Sequence, residues 1–191
     1  MPFRALLWLA LVPGLFLLSC WQAEPSFAWQ GHGLHVDRLE CVVEIGADGT
    51  VTAFERVRAE VKPGSEVCGL WRDIPVSPLW AEYARRKISL HVLQASIDGE
   101  PCQLGDVEML WPFKRIHVRR DAPLAPCSHV FLLHYRVTEQ IGFLPDKDAL
   151  TWSVAGPGWA SSIASVSCTV RPPAGASFID SKAWTSRGAS V

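Results

Sequence analysis

The stretch from Val36 to Val61, VDRLECVVEIGADGTVTAFERVRAEV, is the most strongly patterned part of the chain. Apolar and polar residues alternate on both sides of Asp48-Gly49, which is the period of a half-buried β-strand. An Asp-Gly pair between two alternating runs is a strong signal for a tight hairpin turn. The stretch therefore predicts two antiparallel strands joined at Asp48-Gly49.

Shorter alternating runs continue along the chain, separated by glycine, proline and Asp-Gly turn signals. No run keeps the period of an α-helix. Short strands with regular turn signals are typical of an all-β sandwich. We predict an antiparallel β-sandwich of about eight short strands over residues 34–173, and a weakly ordered tail over 174–191. The later strands are expected within 87–97, 106–117, 127–138, 149–154 and 161–171.

The first 28 residues resemble an export signal. Arg4 precedes the apolar run Ala5–Leu18, which is shorter than the roughly 20 residues of a membrane-spanning helix. Small residues at Ser26-Phe27-Ala28 suit an ordinary signal peptidase, which would remove 1–28. Leu17-Leu18-Ser19-Cys20 resembles a bacterial lipobox, which would remove 1–19 and leave Cys20 as the lipidation site. An uncleaved anchor is the third alternative. All three predict an extracytoplasmic location in the bacterial envelope, with secretion also open.

The composition argues against several classes of function. The 191 residues carry a formal net charge of −1, which offers no general attraction to nucleic acid. No second apolar run reaches the length of a spanning helix, so we expect membrane contact only through the leader or a lipid. The remaining chain is long enough for one domain with its own core.

Five cysteines follow Cys20, and in an oxidising compartment they are expected to pair. Because five is odd, at least one stays free or pairs between chains. The sequence leaves the connectivity open. Cys102–Cys127 is the pairing that we favour, since both lie at predicted strand edges near proline. The five are Cys41, Cys68, Cys102, Cys127 and Cys168.

The segment Gly69–Pro75, GLWRDIP, is the most distinctive motif. We interpret residues 68–75 as a connection without regular structure, because Pro75 restricts Ile74 to extended geometry. Arg72 and Asp73 are neighbours, so in an extended chain their side chains point to opposite faces. The structural interpretation is that both residues satisfy backbone groups across the loop, through hydrogen bonds and an ion pair with a remote partner, and that Trp71 and Ile74 enter the core.

The functional interpretation of the same segment is a ligand-recognition loop on the rim of the sandwich, where binding residues tend to lie. A catalytic role for its aspartate is a third reading. The candidate ligand-binding residues are Gly69, Trp71, Arg72 and Asp73.

Four segments, in order, resemble one known family. GLWRDIP resembles the Gly-Ile-Tyr-Arg-Asp-Ile-Pro signature of the exported domain in the bacterial predicted membrane proteins called domain of unknown function 2207 (DUF2207). The resemblance runs from about Leu34 to Pro173. The other matching pieces are Asp48-Gly49 with Glu55, Tyr135–Val137, and Leu150–Trp152 with Gly158, Trp159 and Ile163.

The resemblance implies an extracytoplasmic β-sandwich-like domain followed by membrane helices and a cytoplasmic tail, and it implies no enzymatic activity. The sequence departs from the family pattern because it has no later membrane helix and because Cys68 stands where a polar residue is expected. The favoured function is thus a non-enzymatic envelope module that binds an envelope protein or a glycan, without a cofactor.

Two alternatives remain open. One is an envelope hydrolase that uses paired carboxylates or a metal held by His32 and His35. The other is a truncated remnant of a longer membrane protein. The acids available to a hydrolase are Glu55, Asp73, Asp146 and Asp148.

Overall fold

The structure is a computed structural model that describes residues 4–10, 33–76, 88–104, 108–110, 112–145, 147–156, 159 and 162–184. These residues form strands and turns, with no helix among them. The all-β prediction is confirmed. The strands are β1 (Arg4–Ala10), β2 (Leu34–Ile45), β3 (Val51–Val61), β4 (Gly69–Pro75), β5 (Ser89–Ile97), β6 (Glu100–Pro101), β7 (Gln103–Leu104), β8 (Glu108–Leu110), β9 (Phe113–Arg119), β10 (Ser128–Thr138), β11 (Ile141–Phe143), β12 (Asp148–Thr151), β13 (Ile163–Arg171) and β14 (Ser177–Trp184).

The largest sheet has six strands in the order β13-β2-β3-β10-β5-β6. Its pairs are antiparallel except β13–β2, which is parallel. The predicted hairpin is confirmed as β2–β3, whose turn places Gly49 at a φ of 81°. Glycine adopts that left-handed conformation without steric cost.

Two smaller sheets complete the fold. One has the order β4-β9-β7, with β8 also paired to β9, and the other has the order β11-β12-β1-β14. Apolar side chains of β4, β9, β11 and β12 join one face of the six-stranded sheet in a single buried cluster, in which Leu39 and Phe131 accompany Ile116 and Leu150. Burial alternates strictly along β3, because its other face is outside the core.

The interpretation of residues 68–75 as a connection without regular structure was wrong. All seven residues of β4 pair with β9 in antiparallel register. Extended geometry before Pro75 is also strand geometry, and proline ends the strand, a position that sheets tolerate. Gly69 permits the close approach, since a Cβ there would lie 2.1 Å from the Val118 carbonyl oxygen.

The two ends of the chain add strands to the third sheet. Within the predicted leader, β1 runs parallel to both β12 and β14. Cys20 and both predicted cleavage sites lie outside the described residues, so the leader and its processing stay predictions. β14 lies within 174–191, where the sequence predicted a weakly ordered tail. Among the described residues, none forms a helix long and apolar enough to cross a membrane.

Candidate functional site

The first candidate is the β4 motif, whose centre is a buried ion pair. Arg72 is only 1% exposed and donates two hydrogen bonds to Glu55 of β3. Its Nε donates to Oε2 at 2.8 Å, and its Nη2 donates to Oε1 at 3.1 Å. The Tyr135 hydroxyl donates to the same Oε1 at 2.7 Å. Such charge-assisted bidentate bonds are strong and directional, so this cluster joins β4 to the six-stranded sheet.

The remaining donors of Arg72 are taken up by backbone carbonyls. Nη1 donates to Asp73 O at 3.1 Å and to Ala155 O at 2.9 Å. Nη2 donates to Val154 O at 2.6 Å and to Ser153 O at 3.3 Å. A buried guanidinium is tolerated only when its charge and its N–H groups are satisfied. Both conditions are met here.

The electrostatics of the cluster keep its charges in place. Burial lowers the pKa of Arg72, but the charge of Glu55, together with Tyr135, the hydrogen bonds to Glu55 and Cys41, outweighs burial and raises the pKa above its ordinary value. Burial first, and the Glu55 charge second, raise the pKa of the Tyr135 hydroxyl well above 10. Tyr135 therefore stays protonated and remains a hydrogen-bond donor.

Asp73 lies on the opposite face of β4 and forms a second ion pair. It accepts from Arg115 Nε at 2.7 Å and from Arg115 Nη2 at 2.8 Å. The Arg115 guanidinium also lies 4.8 Å from the ring centroid of Trp71, within reach of a cation–π interaction. Trp71 and Asp73 are both buried. The structure thus agrees with the interpretation that the side chains of Arg72 and Asp73 point to opposite faces and do not pair with each other.

The four candidate ligand-binding residues lie in a paired strand rather than in an open loop. Trp71, Arg72 and Asp73 are buried, and Gly69 lies against β9. The arrangement can fix the distance between two layers of the sandwich. It presents no charged group of β4 to an incoming ligand.

The predicted disulfide partners Cys102 and Cys127 are not brought together. Cys102 N donates to Ala95 O, and Ala95 is the register partner of Leu133. Cys127 precedes Leu133 by six residues, or about 20 Å of extended chain. A disulfide requires Cα atoms within about 7 Å of each other. Both thiols are free in the structure.

Cys127 instead lies beside a histidine that the sequence analysis did not single out. Its Sγ is 3.5 Å from His129 Nε2, which is also 2.8 Å from Ala125 O. His129 Nδ1 lies 2.7 Å from Asp98 Oδ2. Because both ring nitrogens face acceptors, the imidazolium suits this site best. His129 therefore ties the Asp98 turn to the chain before β10.

The structure describes only part of the set of residues proposed for a hydrolase. Glu55 and Asp73 are each held by an arginine. His32 and Asp146 lie outside the described residues. His35 contacts Asp37 at 3.6 Å. Within the part of the chain that the structure describes, no group of three or more His, Cys, Asp or Glu residues is placed to hold a metal.

A second candidate site is a groove of about 480 Å³ on the outer face of the six-stranded sheet, which we call the outer groove. Two neighbouring cross-strand rows line it, and the strand register defines both. Apolar and polar side chains mix along each row, as in many binding sites. The first row is Thr169, Val42, Phe54, His134 and Gln94, and the second is Ser167, Glu40, Arg56 and Leu132.

Phe54 and His134 form the centre of the outer groove. Their rings stack with centroids 4.0 Å apart and planes 16° apart. Phe54 is nevertheless 40% exposed. Burial lowers the pKa of His134, which favours a neutral ring at neutral pH. The buried Nε2 of that ring has no hydrogen-bond partner among the described residues.

The outer groove escaped the sequence analysis, although one signal was present. Val42, Phe54 and Leu132 are apolar residues at strand positions that alternate out of the core. Their neighbours in the groove are polar, and two of them, Glu40 and Arg56, are charged and lie 3.8 Å apart. Apolar residues at outward positions were the signal, but only the register shows that they meet.

Comparison with known proteins identifies one family. The family described as "Predicted membrane protein (DUF2207) N-terminal domain" matches residues 35–190. This match agrees with the resemblance found from the motifs and extends it beyond Pro173. No curated protein sequence matches the chain.

Solved structures with some likeness include an M1 zinc metallopeptidase from Deinococcus radiodurans. It is 13% identical with a TM-score of 0.37, and the match covers 60% of this chain and 23% of that one. Native leukotriene A4 hydrolase from Saccharomyces cerevisiae is 9% identical with a TM-score of 0.49, over 79% of this chain and 26% of that one. This chain spans about a quarter of the length of these enzymes. Likeness at these TM-scores carries no argument about this chain.

Proposed function

Because this chain belongs to the family of predicted membrane proteins described as DUF2207, through their N-terminal domain, we propose that it is a non-enzymatic module of the bacterial envelope that binds an envelope protein or a glycan. Binding occurs across the outer groove. The family description supports a role at the membrane. That description names no reaction.

The observation that carries this proposal is the exposed Phe54 at the centre of the outer groove. An aromatic ring held by stacking offers a rigid apolar surface at low entropic cost. Around it, Glu40, Gln94 and Thr169 supply polar groups. A rigid ring with polar groups around it suits both a sugar face and a protein side chain.

The state of the acidic residues supports a binding role over hydrolysis. Glycoside hydrolysis needs two carboxyl groups that face the same substrate. Glu55 and Asp73 instead lie on two different clusters, and each accepts two hydrogen bonds from its own arginine. Neither group is available to a substrate without breaking a buried ion pair.

Cross-linked affinity capture of the full chain in its native envelope tests the proposal. Phe54→Ser and Leu132→Ser change the outer groove, and Met109→Ser on β8 is the matched control because Met109 is equally apolar and 57% exposed. We expect the groove variants to lose a captured protein or glycan while the control retains it. All variants should keep the parental melting temperature.

Two results would contradict the proposal. One is a partner that is retained by both groove variants. The other is hydrolysis of envelope glycans by the purified chain that is abolished by Asp73→Asn, which would favour the hydrolase alternative.

A further inference from the structure

Two cysteines that are far apart in sequence are direct neighbours in the six-stranded sheet. Cys41 of β2 and Cys168 of β13 are register partners in the parallel pair. Partner residues on adjacent strands point to the same face, which here is the core face. Cys41 is buried and Cys168 packs against the core cluster. The two thiols influence each other's pKa.

The spacing of the two residues suits a covalent bond. Adjacent strands lie about 4.8 Å apart, and disulfides join residues whose Cα atoms are about 4.4–6.8 Å apart. The general spacing of register partners therefore falls within the range that a disulfide spans. We propose that Cys41 and Cys168 form a disulfide when the protein is in an oxidising compartment.

The other three described cysteines do not share this arrangement. Cys68 Sγ contacts Glu66 O at 3.9 Å. Cys102 lies opposite Ala95, and Cys127 lies beside His129. Among the described residues, Cys41 and Cys168 are thus the only cysteines paired by the sheet register.

The two thiols differ in pKa, and this difference determines which of them is oxidised first. The neighbouring Cys41 thiol lowers the pKa of Cys168. The Cys168 thiol, burial and the charge of Glu55 raise the pKa of Cys41. The thiolate is the reactive form, so Cys168 reacts first. It is also the more exposed of the two thiols.

The oxidant is an external disulfide, either a small molecule or an oxidised thiol–disulfide oxidoreductase. The Cys168 thiolate attacks one sulfur of that disulfide, forms a mixed disulfide and releases one external thiolate. Cys41 then gives up its proton, attacks the Cys168 sulfur and releases the second external thiolate. The pair loses two electrons and two protons, and the external disulfide is reduced to two thiols.

The bond would fasten the outermost strand of the sheet. Most side chains of β13 are exposed, so that few core contacts hold it beside β2. A cross-link over more than a hundred residues of chain restricts the unfolded state strongly. It would also fix Ser167 and Thr169, which flank Cys168, at one end of the outer groove.

Disulfide mapping of the full chain tests the inference. The protein is incubated with oxidised glutathione, denatured, alkylated at free thiols and digested without reductant for mass spectrometry. We expect a peptide that joins Cys41 to Cys168. Recovery of both residues as alkylated thiols, or joined to other cysteines, would overturn the inference.

A second measurement separates the bond from a general need for the side chains. Adding reductant should lower the melting temperature of the oxidised parental chain by about 5 °C or more. Cys168→Ser should abolish that response, whereas Cys102→Ser should retain it. An equal response to reductant in Cys168→Ser and the parental chain would overturn the inference. Cys168→Ser is preferred to a change at Cys41 because its side chain is less buried.

Discussion

Arg72 on β4 and Glu55 on β3 form a bidentate ion pair inside the sandwich, with both side chains 1% exposed. The pair links β3, an internal strand of the six-stranded sheet, to β4, the edge strand of the sheet β4-β9-β7. Tyr135 from β10 and the carbonyls of residues 153–155 complete the shell around it. This cluster explains why so polar a motif as GLWRDIP can occupy the interior.

Glu55→Gln should destabilise the fold by about 3–5 kcal/mol, because it leaves the Arg72 charge buried without a counter-charge. Arg72→Met should have an effect of similar size, because it leaves the Glu55 charge buried and unpaired. The double variant should lose less unfolding free energy than the two single variants added together, since neither buried charge then remains. The free energy of unfolding, measured with a chemical denaturant, checks these values. Arg58→Gln, on an exposed position of β3, is the control, and single-variant losses as small as the control's would contradict the prediction.

Gly156→Ala should destabilise the fold more than Gly175→Ala. Both glycines have left-handed φ angles, 68° and 81°, so alanine is strained at both by about 1–2 kcal/mol. At Gly156 the new Cβ would also lie 2.4 Å from Arg72 Nη1, whereas nothing lies within 4 Å at Gly175. The difference in melting temperature between the two variants isolates the contact with Arg72. Equal losses would show that the loop moves away from the guanidinium at no cost.

The strands with the clearest sequence pattern are those with one buried and one exposed face. β2, β3 and β10 alternate because one side lies on the core and the other faces out. β4 was missed because both of its faces are buried, including Arg72 and Asp73. Buried charges in a strand remove the alternation on which the prediction depends.

The candidate sites show the same limit. That Arg72 and Asp73 point to opposite faces could be predicted from the geometry of neighbouring residues. The outer groove could not, because it combines five strands whose order is set by tertiary contacts. The Cys41–Cys168 neighbours depend on β13 lying parallel to β2, and no local turn signal joins these two strands.

Asp73→Asn should lower the free energy of unfolding by about 1–3 kcal/mol, the cost of leaving a buried partner partly unsatisfied. An amide keeps one acceptor oxygen, so that it cannot match both Arg115 donors. Asp37→Asn is the matched control because its side chain is 40% exposed, and it should change little. If Asp73→Asn left the melting temperature unchanged and abolished a hydrolytic activity, the acid would have a catalytic role instead.

His129 should make the stability depend on pH. Burial lowers its pKa, but the hydrogen bonds to Asp98 and Ala125 O outweigh burial and raise the pKa above 6.5. The folded state therefore binds the proton more tightly than the unfolded state, and the contribution is complete below about pH 6.5 and is lost as the pH rises through the folded value. The loss of unfolding free energy on His129→Gln should thus be larger at pH 5.5 than at pH 9. Asp98→Asn keeps the left-handed turn, which asparagine tolerates, and should weaken the same pH dependence. A loss on His129→Gln that is equal at both pH values would contradict the prediction.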